Sequence, residues 1–123
     1  MDEQKFREYI TSSGRMLLAG KSAKNNEDLV KQVEKFETVL HTKNPGSPFV
    51  NIKGKEKVLK KDIIEAAIFC AKYSQDFRDN KSDVDVHVFK GSNVFKKKGM
   101  KAGTFGVKKF DLVNVKKSDI LRL

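Results

Sequence analysis

Asp62-Ile63-Ile64-Glu65-Ala66-Ala67-Ile68-Phe69-Cys70-Ala71, followed after a polar break by Val84-Asp85-Val86-His87-Val88-Phe89, decides the fold. Over Ile63–Phe77 the apolar residues recur at helical spacing, with Ile64, Ala67, Ile68, Ala71 and Gln75 on one face and Ile63, Cys70 and Phe77 beside it. Asp62 offers a cap, Glu65 stands at the third helical position, and Asp79-Asn80-Lys81-Ser82 ends the element. The alanines leave room for close approach to a sheet. Val84, Val86 and Val88 then recur at period two, the spacing of a strand that buries one face.

Working outward, Phe6–Ile10 and Arg15–Ala19 are short strand-like runs, and Thr11-Ser12-Ser13-Gly14 between them has hairpin-loop chemistry. Asn25 is placed to cap a short helix, paired with Asp28 three residues on, whose stripe is Leu29, Val33 and Phe36. Glu37–Lys43 and Phe49–Ile52 read as strands about the Asn44–Pro48 turn, and Lys53–Lys61 as a charged connection. Thr104–Val115 is the last β region. Phe105 and Val107 share one parity while Phe110 and Leu112 have the other, so a bulge or tight turn is expected near Lys108-Lys109. The expectation is one α+β domain over residues 1–123: a mainly antiparallel sheet with one principal helix packed on it and one short helix.

Cys70 is the one cysteine, which excludes an internal disulfide and a CxxC metal half-site, and its apolar surroundings predict a buried thiol. The longest purely apolar run, Ala66–Ala71, is far below the ~20 residues that span a bilayer. Met1-Asp2-Glu3-Gln4-Lys5 is polar and unlike a secretory leader. A soluble cytoplasmic protein with no membrane partner is expected.

Charge is the informative quantity. Twenty-six Lys and Arg against sixteen Asp and Glu give +10. Residues 1–80 hold fifteen basic and twelve acidic groups, residues 81–123 eleven and four, and Gly91–Lys109 holds six lysines and no acid. Such a one-sided field draws in polyanions. Three adjacent lysines, Lys96-Lys97-Lys98, flanked by Gly91 and Gly99, suit a loop that grips a phosphate backbone. Lysine in place of arginine favours backbone contact over base reading. Phe89, Phe95 and Phe105 could stack on bases if exposed, or pack in the core.

Catalytic chemistry finds little support. His41 and His87 are the two imidazoles, too few for a multi-His metal site, and nothing orients His41 against Ser47 as base and nucleophile. Gly20-Lys21-Ser22 echoes the end of a phosphate-binding Walker loop, yet residue 15 is Arg where Gly is required. No enzyme, metal or cofactor is expected.

Four blocks resemble the NFACT RNA-binding domain of ribosome quality-control and fibronectin-binding-A-like proteins. They are Ile10-Thr11-Ser12-Ser13-Gly14 with Leu18-Ala19-Gly20-Lys21 and Asn25-Asn26-Glu27; Val39-Leu40-His41 with Pro45-Gly46-Ser47; Ile64-Glu65-Ala66-Ala67 with Tyr73-Ser74; and Val84–Phe89 with Lys97-Lys98-Gly99-Met100-Lys101-Ala102-Gly103. Pro48 stands where that family has His, and Leu40 where Trp is common. The resemblance implies a cytosolic domain that engages tRNA or rRNA at the large ribosomal subunit, with Lys21, Asn26, His41, Gly46, Ser47 and the Lys97–Gly103 loop at motif positions. Unlike the family's longer proteins, the 123 residues hold one module, which is expected to stand alone. Charge adds Lys96, Lys97, Lys98 and Lys101 as phosphate contacts, with Lys21, Lys24 and Lys43 secondary. A protein-docking module and a duplex-DNA binder remain the alternatives, separable by salt dependence, nuclease treatment and competition.

Overall fold

The computed structural model describes residues 5–123; Met1–Gln4, part of the polar start, lie outside them. The fold is α+β, with a six-stranded antiparallel sheet in the order β1-β2-β4-β3-β5-β8. The hairpin β1 (Arg7–Ile10) and β2 (Met16–Ala19) leads into α1 (Ala23–Gln32). β3 (Thr38–Thr42) and β4 (Val50–Ile52) follow, and β4 inserts between β2 and β3. Helices α2 (Lys60–Lys72) and α3 (Gln75–Asn80) cross to β5 (Val84–Lys90), on the far side of β3. A separate two-stranded ribbon, β6 (Val94–Phe95) with β7 (Gly106–Val107), precedes the edge strand β8 (Asp111–Val115) and α4 (Lys117–Arg122).

Period-two patterning gives the sheet two buried faces. Leu17, Leu40, Val50, Ile52, Val84, Val86 and Val115 pack against Ala66, Ala67, Phe69, Cys70 and Ala71 of α2 and Ile120 of α4. The small residues let α2 lie close to the strands, and burial pushes the Cys70 thiol up to about 12. The opposite face carries Val39, Phe49 and Phe89 under Leu29 of α1, with Val94, Phe105 and Val107 of the ribbon region against them.

Several boundaries differ from the sequence reading. Helix α2 starts at Lys60, before Asp62, and Asp62 lies at its third position. Its buried side is Ala66, Ala67, Cys70 and Ala71, leaving Ile64 44% exposed. The single helix expected over Ile63–Phe77 is two, because Ser74 takes extended backbone; its Oγ donates to Ala71 O (2.6 Å) and accepts from Phe77 N (3.1 Å). In α1 the cap is Ser22, whose Oγ accepts from Asn25 N at 3.1 Å, while the Asn25 side chain accepts from Lys21 N. Phe36 falls beyond the helix and is 49% exposed. The parity change at Lys108–Phe110 is the turn at which the chain leaves the ribbon for the main sheet.

The Thr11–Gly14 turn is fastened to α2. Asp62, buried, accepts from Thr11 Oγ1 (2.9 Å), from the Ser13 hydroxyl and from Leu59 N (3.1 Å). Ser12 donates from both N and Oγ to Glu65 at 2.9 and 2.7 Å. Burial alone would raise the Asp62 pKa, but the Ser13 and Thr11 hydroxyls, the Leu59 amide and Arg15 outweigh it and hold it below its ordinary value. Glu37 follows the same pattern: Lys53 (2.8 Å) and the Glu34 and Gly54 amides overcome the penalty of burial.

Because both carboxyls have lowered folded pKa values, their stabilisation is complete above the ordinary carboxylate range and lost as pH falls through it towards those lowered values. Asp62→Ala leaves three donors without their acceptor and is expected to cost about 2–4 kcal/mol in urea unfolding at neutral pH. The same variant should lose less stability than wild type between neutral and acid pH. An unchanged acid limb would remove Asp62 from this account.

Candidate nucleic-acid interface

The ends of β2, β3 and β4 are sewn together by one buried amide. Asn26 on α1 donates from Nδ2 to Ser47 O (3.3 Å) and accepts at Oδ1 from Phe49 N (3.1 Å). Gly20 N donates to Phe49 O at 3.1 Å. A side chain at Gly20 would collide with the Asn26 amide, so the β2–α1 turn can pass only as glycine. Ser47 Oγ accepts from Thr42 N and donates to Pro48 O, both at 3.1 Å, closing the β3–β4 turn. Gly46 takes φ +90° and its carbonyl accepts from Gln75 N at 2.8 Å, docking the turn on α3. Asn26, Gly46 and Ser47 thus build the wall of the site.

The Lys96–Phe105 loop forms the opposite wall, and its lysines divide into two kinds. The Lys96 ammonium reaches Glu27 Oε2 (2.6 Å), Lys101 O (2.6 Å) and Thr104 O (2.8 Å), and lies 4.6 Å from the centre of the Phe105 ring. Gly103 N, at φ +79°, donates to the same Glu27 oxygen at 2.6 Å. Lys96 first, then the Gly103 amide, holds the Glu27 carboxyl below its usual pKa. Lys96 therefore latches the loop onto α1. Lys97, Lys98 and Lys101 remain exposed around Gly99, whose φ of +92° makes the tip.

Between the walls lies an open cleft of about 750 Å³. Lys21, Asn26, His41, Lys43, Gly46 and Ser47 all line it, together with Ala102–Phe105, so two regions far apart in sequence face one space. Its charged lining groups are Arg7, Lys21, Lys43 and Arg78, with no carboxylate among the described lining residues. Lys24 is exposed on the first turn of α1, while Lys97, Lys98, Gly99 and Lys101 belong to the loop and not to the lining. Arg7 and Arg78 stand out in no run of like charge; β1 carries Arg7 to the cleft and α3 carries Arg78.

The two histidines are cross-strand partners at the cleft floor. His41 contacts Thr42 O through Nδ1 at 2.8 Å, a geometry that requires the proton on Nδ1, and its ring lies 4.4 Å from Phe49. Burial lowers the His41 pKa despite this bond, with His87 adding to the effect, so the ring is neutral at neutral pH. The His87 pKa is also lowered, by burial and then by Lys43. No group of three or more His, Cys, Asp or Glu placed to hold a metal occurs among the described residues, nor is any helix there long and apolar enough to cross a membrane.

Two outcomes test the walls. Asn26→Ala strands the Phe49 amide and should destabilise by about 1–3 kcal/mol. Gly20→Ala should destabilise too, yet Gly20→Ala/Asn26→Ala should match Asn26→Ala within about 0.5 kcal/mol, because the clash has gone. Additive losses in urea melts would contradict the shared contact. Separately, Glu27→Ala should speed hydrogen exchange at the Gly103 amide without a comparable change in α2.

The model of the NFACT protein RNA binding domain matches residues 5–109, most of the chain. No curated protein matches. Among solved structures, the C-terminal part of the fibronectin/fibrinogen-binding protein of Streptococcus suis superposes with a TM-score of 0.84 at 22% identity, covering 100% of this chain and 50% of that one. That likeness extends the shared fold through β8 and α4, beyond the matched residues, and this chain spans half the length of that relative. On the family match, the chain belongs to the NFACT RNA-binding domain family.

Proposed function

We propose that the protein binds a structured RNA, tRNA or the rRNA of the large ribosomal subunit, by running a phosphate backbone from the Lys97-Lys98-Lys101 loop into the cleft. The observation that carries this reading is the convergence of the two basic regions on one cleft whose charged lining is entirely cationic. Lys97, Lys98 and Lys101 supply exposed point charges on the loop whose Ala102–Phe105 end lines the cleft, and Lys21, Lys43 and Arg78 continue the positive path. Lys96, already engaged by Glu27, holds the loop in shape instead of meeting phosphate. Lysine-rich contact of this kind gives affinity that falls steeply with salt, with selectivity from RNA shape. A role beside ribosomes implies the cytoplasm as the working compartment.

The test is tRNA binding measured across a salt series. Lys97→Ala/Lys98→Ala/Lys101→Ala should flatten the log–log salt slope by about two to three units, and Lys43→Ala/Arg78→Ala by about one to two. Duplex DNA of equal length should compete poorly with tRNA. Unchanged slopes in both variants, or binding indifferent to salt and to nuclease, would favour a protein-docking module instead.

A further inference from the structure

Beyond gripping phosphates, the cleft contains a flat surface that backbone contact does not use. On the reading that the chain binds RNA, we propose that the exposed ring of Phe110, backed by His87, is a stacking platform for one unpaired base.

Phe110 lies in the connection between the ribbon and β8, and it is 48% exposed despite being apolar. One face of its ring is covered by His87, with centroids 3.9 Å apart and planes inclined by 20°, so the other face supplies the exposure. His87 is fixed from below by the sheet, paired across to His41 on β3 and to Leu112 on β8. A ring so backed is held rigid before any ligand arrives, which removes part of the ordering entropy that stacking would otherwise oppose. With its pKa lowered by burial and Lys43, His87 supports Phe110 as a neutral ring.

The other phenyl and phenol rings that line the cleft are committed elsewhere. Phe49 and Phe89 are buried. Phe105 meets Phe49 edge-on at 5.3 Å and lies under the Lys96 ammonium. Tyr73 at the cleft rim carries the Arg7 guanidinium over its face at 3.9 Å. The sequence nominated Phe89, Phe95 and Phe105 for stacking; Phe95 is half-buried with its ring against Gly106 and the Lys97 ammonium 5.8 Å from its centre, so Phe110 is the more open ring.

Position adds the charge argument. Phe110 lines the cleft described above and also a second hollow, where Lys55, Lys57, Lys90 and Lys109 outnumber Glu56 and Asp111. The ring is therefore a ridge between two net-cationic basins. A single strand crossing it can stack a base on Phe110 while its flanking phosphates meet lysines on either side, the combination that single-strand binders use. A continuous duplex, whose bases are already stacked on each other, cannot use the ring.

The experiment compares a single-stranded RNA carrying one 2-aminopurine with a blunt RNA duplex of the same length. Wild type should quench the 2-aminopurine. Phe110→Leu should abolish the quench and weaken single-strand binding by about five-fold to a hundred-fold, while leaving duplex affinity and the salt slope unchanged. Phe110→Trp should restore both quench and affinity. Single-strand binding indifferent to Phe110→Leu, or an equal loss for strand and duplex, would overturn the platform while leaving the RNA-binding reading intact. Failure of wild type to bind either RNA would overturn both.

Discussion

The cleft depends on two adjacent residues of α1. Successive side chains on a helix point about 100° apart, so Asn26 and Glu27 face different partners from one turn of backbone. Asn26 reaches the β3–β4 turn, bonding Ser47 O and Phe49 N, and its amide fills the space that only glycine at position 20 leaves. Glu27, turned away from that contact, reaches Lys96 and the Gly103 amide of the ribbon loop. Helix α1 is thereby a double clamp that fixes both walls. The Asn26 bonds are buried, where an unmet donor is costly; the Glu27 pair is partly open to solvent and has a weaker hold. The sheet-end wall is accordingly the firmer of the two.

This division explains what the sequence disclosed and what it withheld. Period two along β5 and helical spacing along α2 are local signals, and they specified a sheet with a helix across it. The break at Ser74 was not visible, because Ser tolerates helix interiors and the switch depends on its hydroxyl accepting from Phe77 N. The buried face of α2 was displaced by one position for a related reason. Small residues, which hydrophobicity ranks low, face the sheet, while Ile64 faces water. Within Lys96-Lys97-Lys98, no local feature separates the latch from its exposed neighbours. That distinction comes from Glu27, sixty-nine residues away. Convergence of the two basic regions was equally hidden, since the ribbon loop is brought to the sheet ends by Glu27 on α1 and by Phe105 against Phe49.

Motif residues accordingly divide by physical role. Gly20, Asn26, Gly46, Ser47 and Gly103 shape the backbone of the walls, and His41 is a neutral floor residue bonded to its own strand. The groups with charge to offer a polyanion are the exposed lysines of the loop and the cations of the cleft. The Cys70 thiol, buried and pushed up to about 12, is packing and not a nucleophile. A cleft with no carboxylate among its described lining residues, beside a loop of exposed lysines, is suited to holding a phosphate chain.

Amide chemical-shift mapping of the labelled protein titrated with tRNA at moderate salt tests the central claim most directly. The account predicts shifts concentrated at Gly20–Ser22, at Lys43–Gly46 and along Lys97–Phe105, with α2 and α4 silent. Shifts clustered on α2 and α4, with the cleft unperturbed, would contradict it.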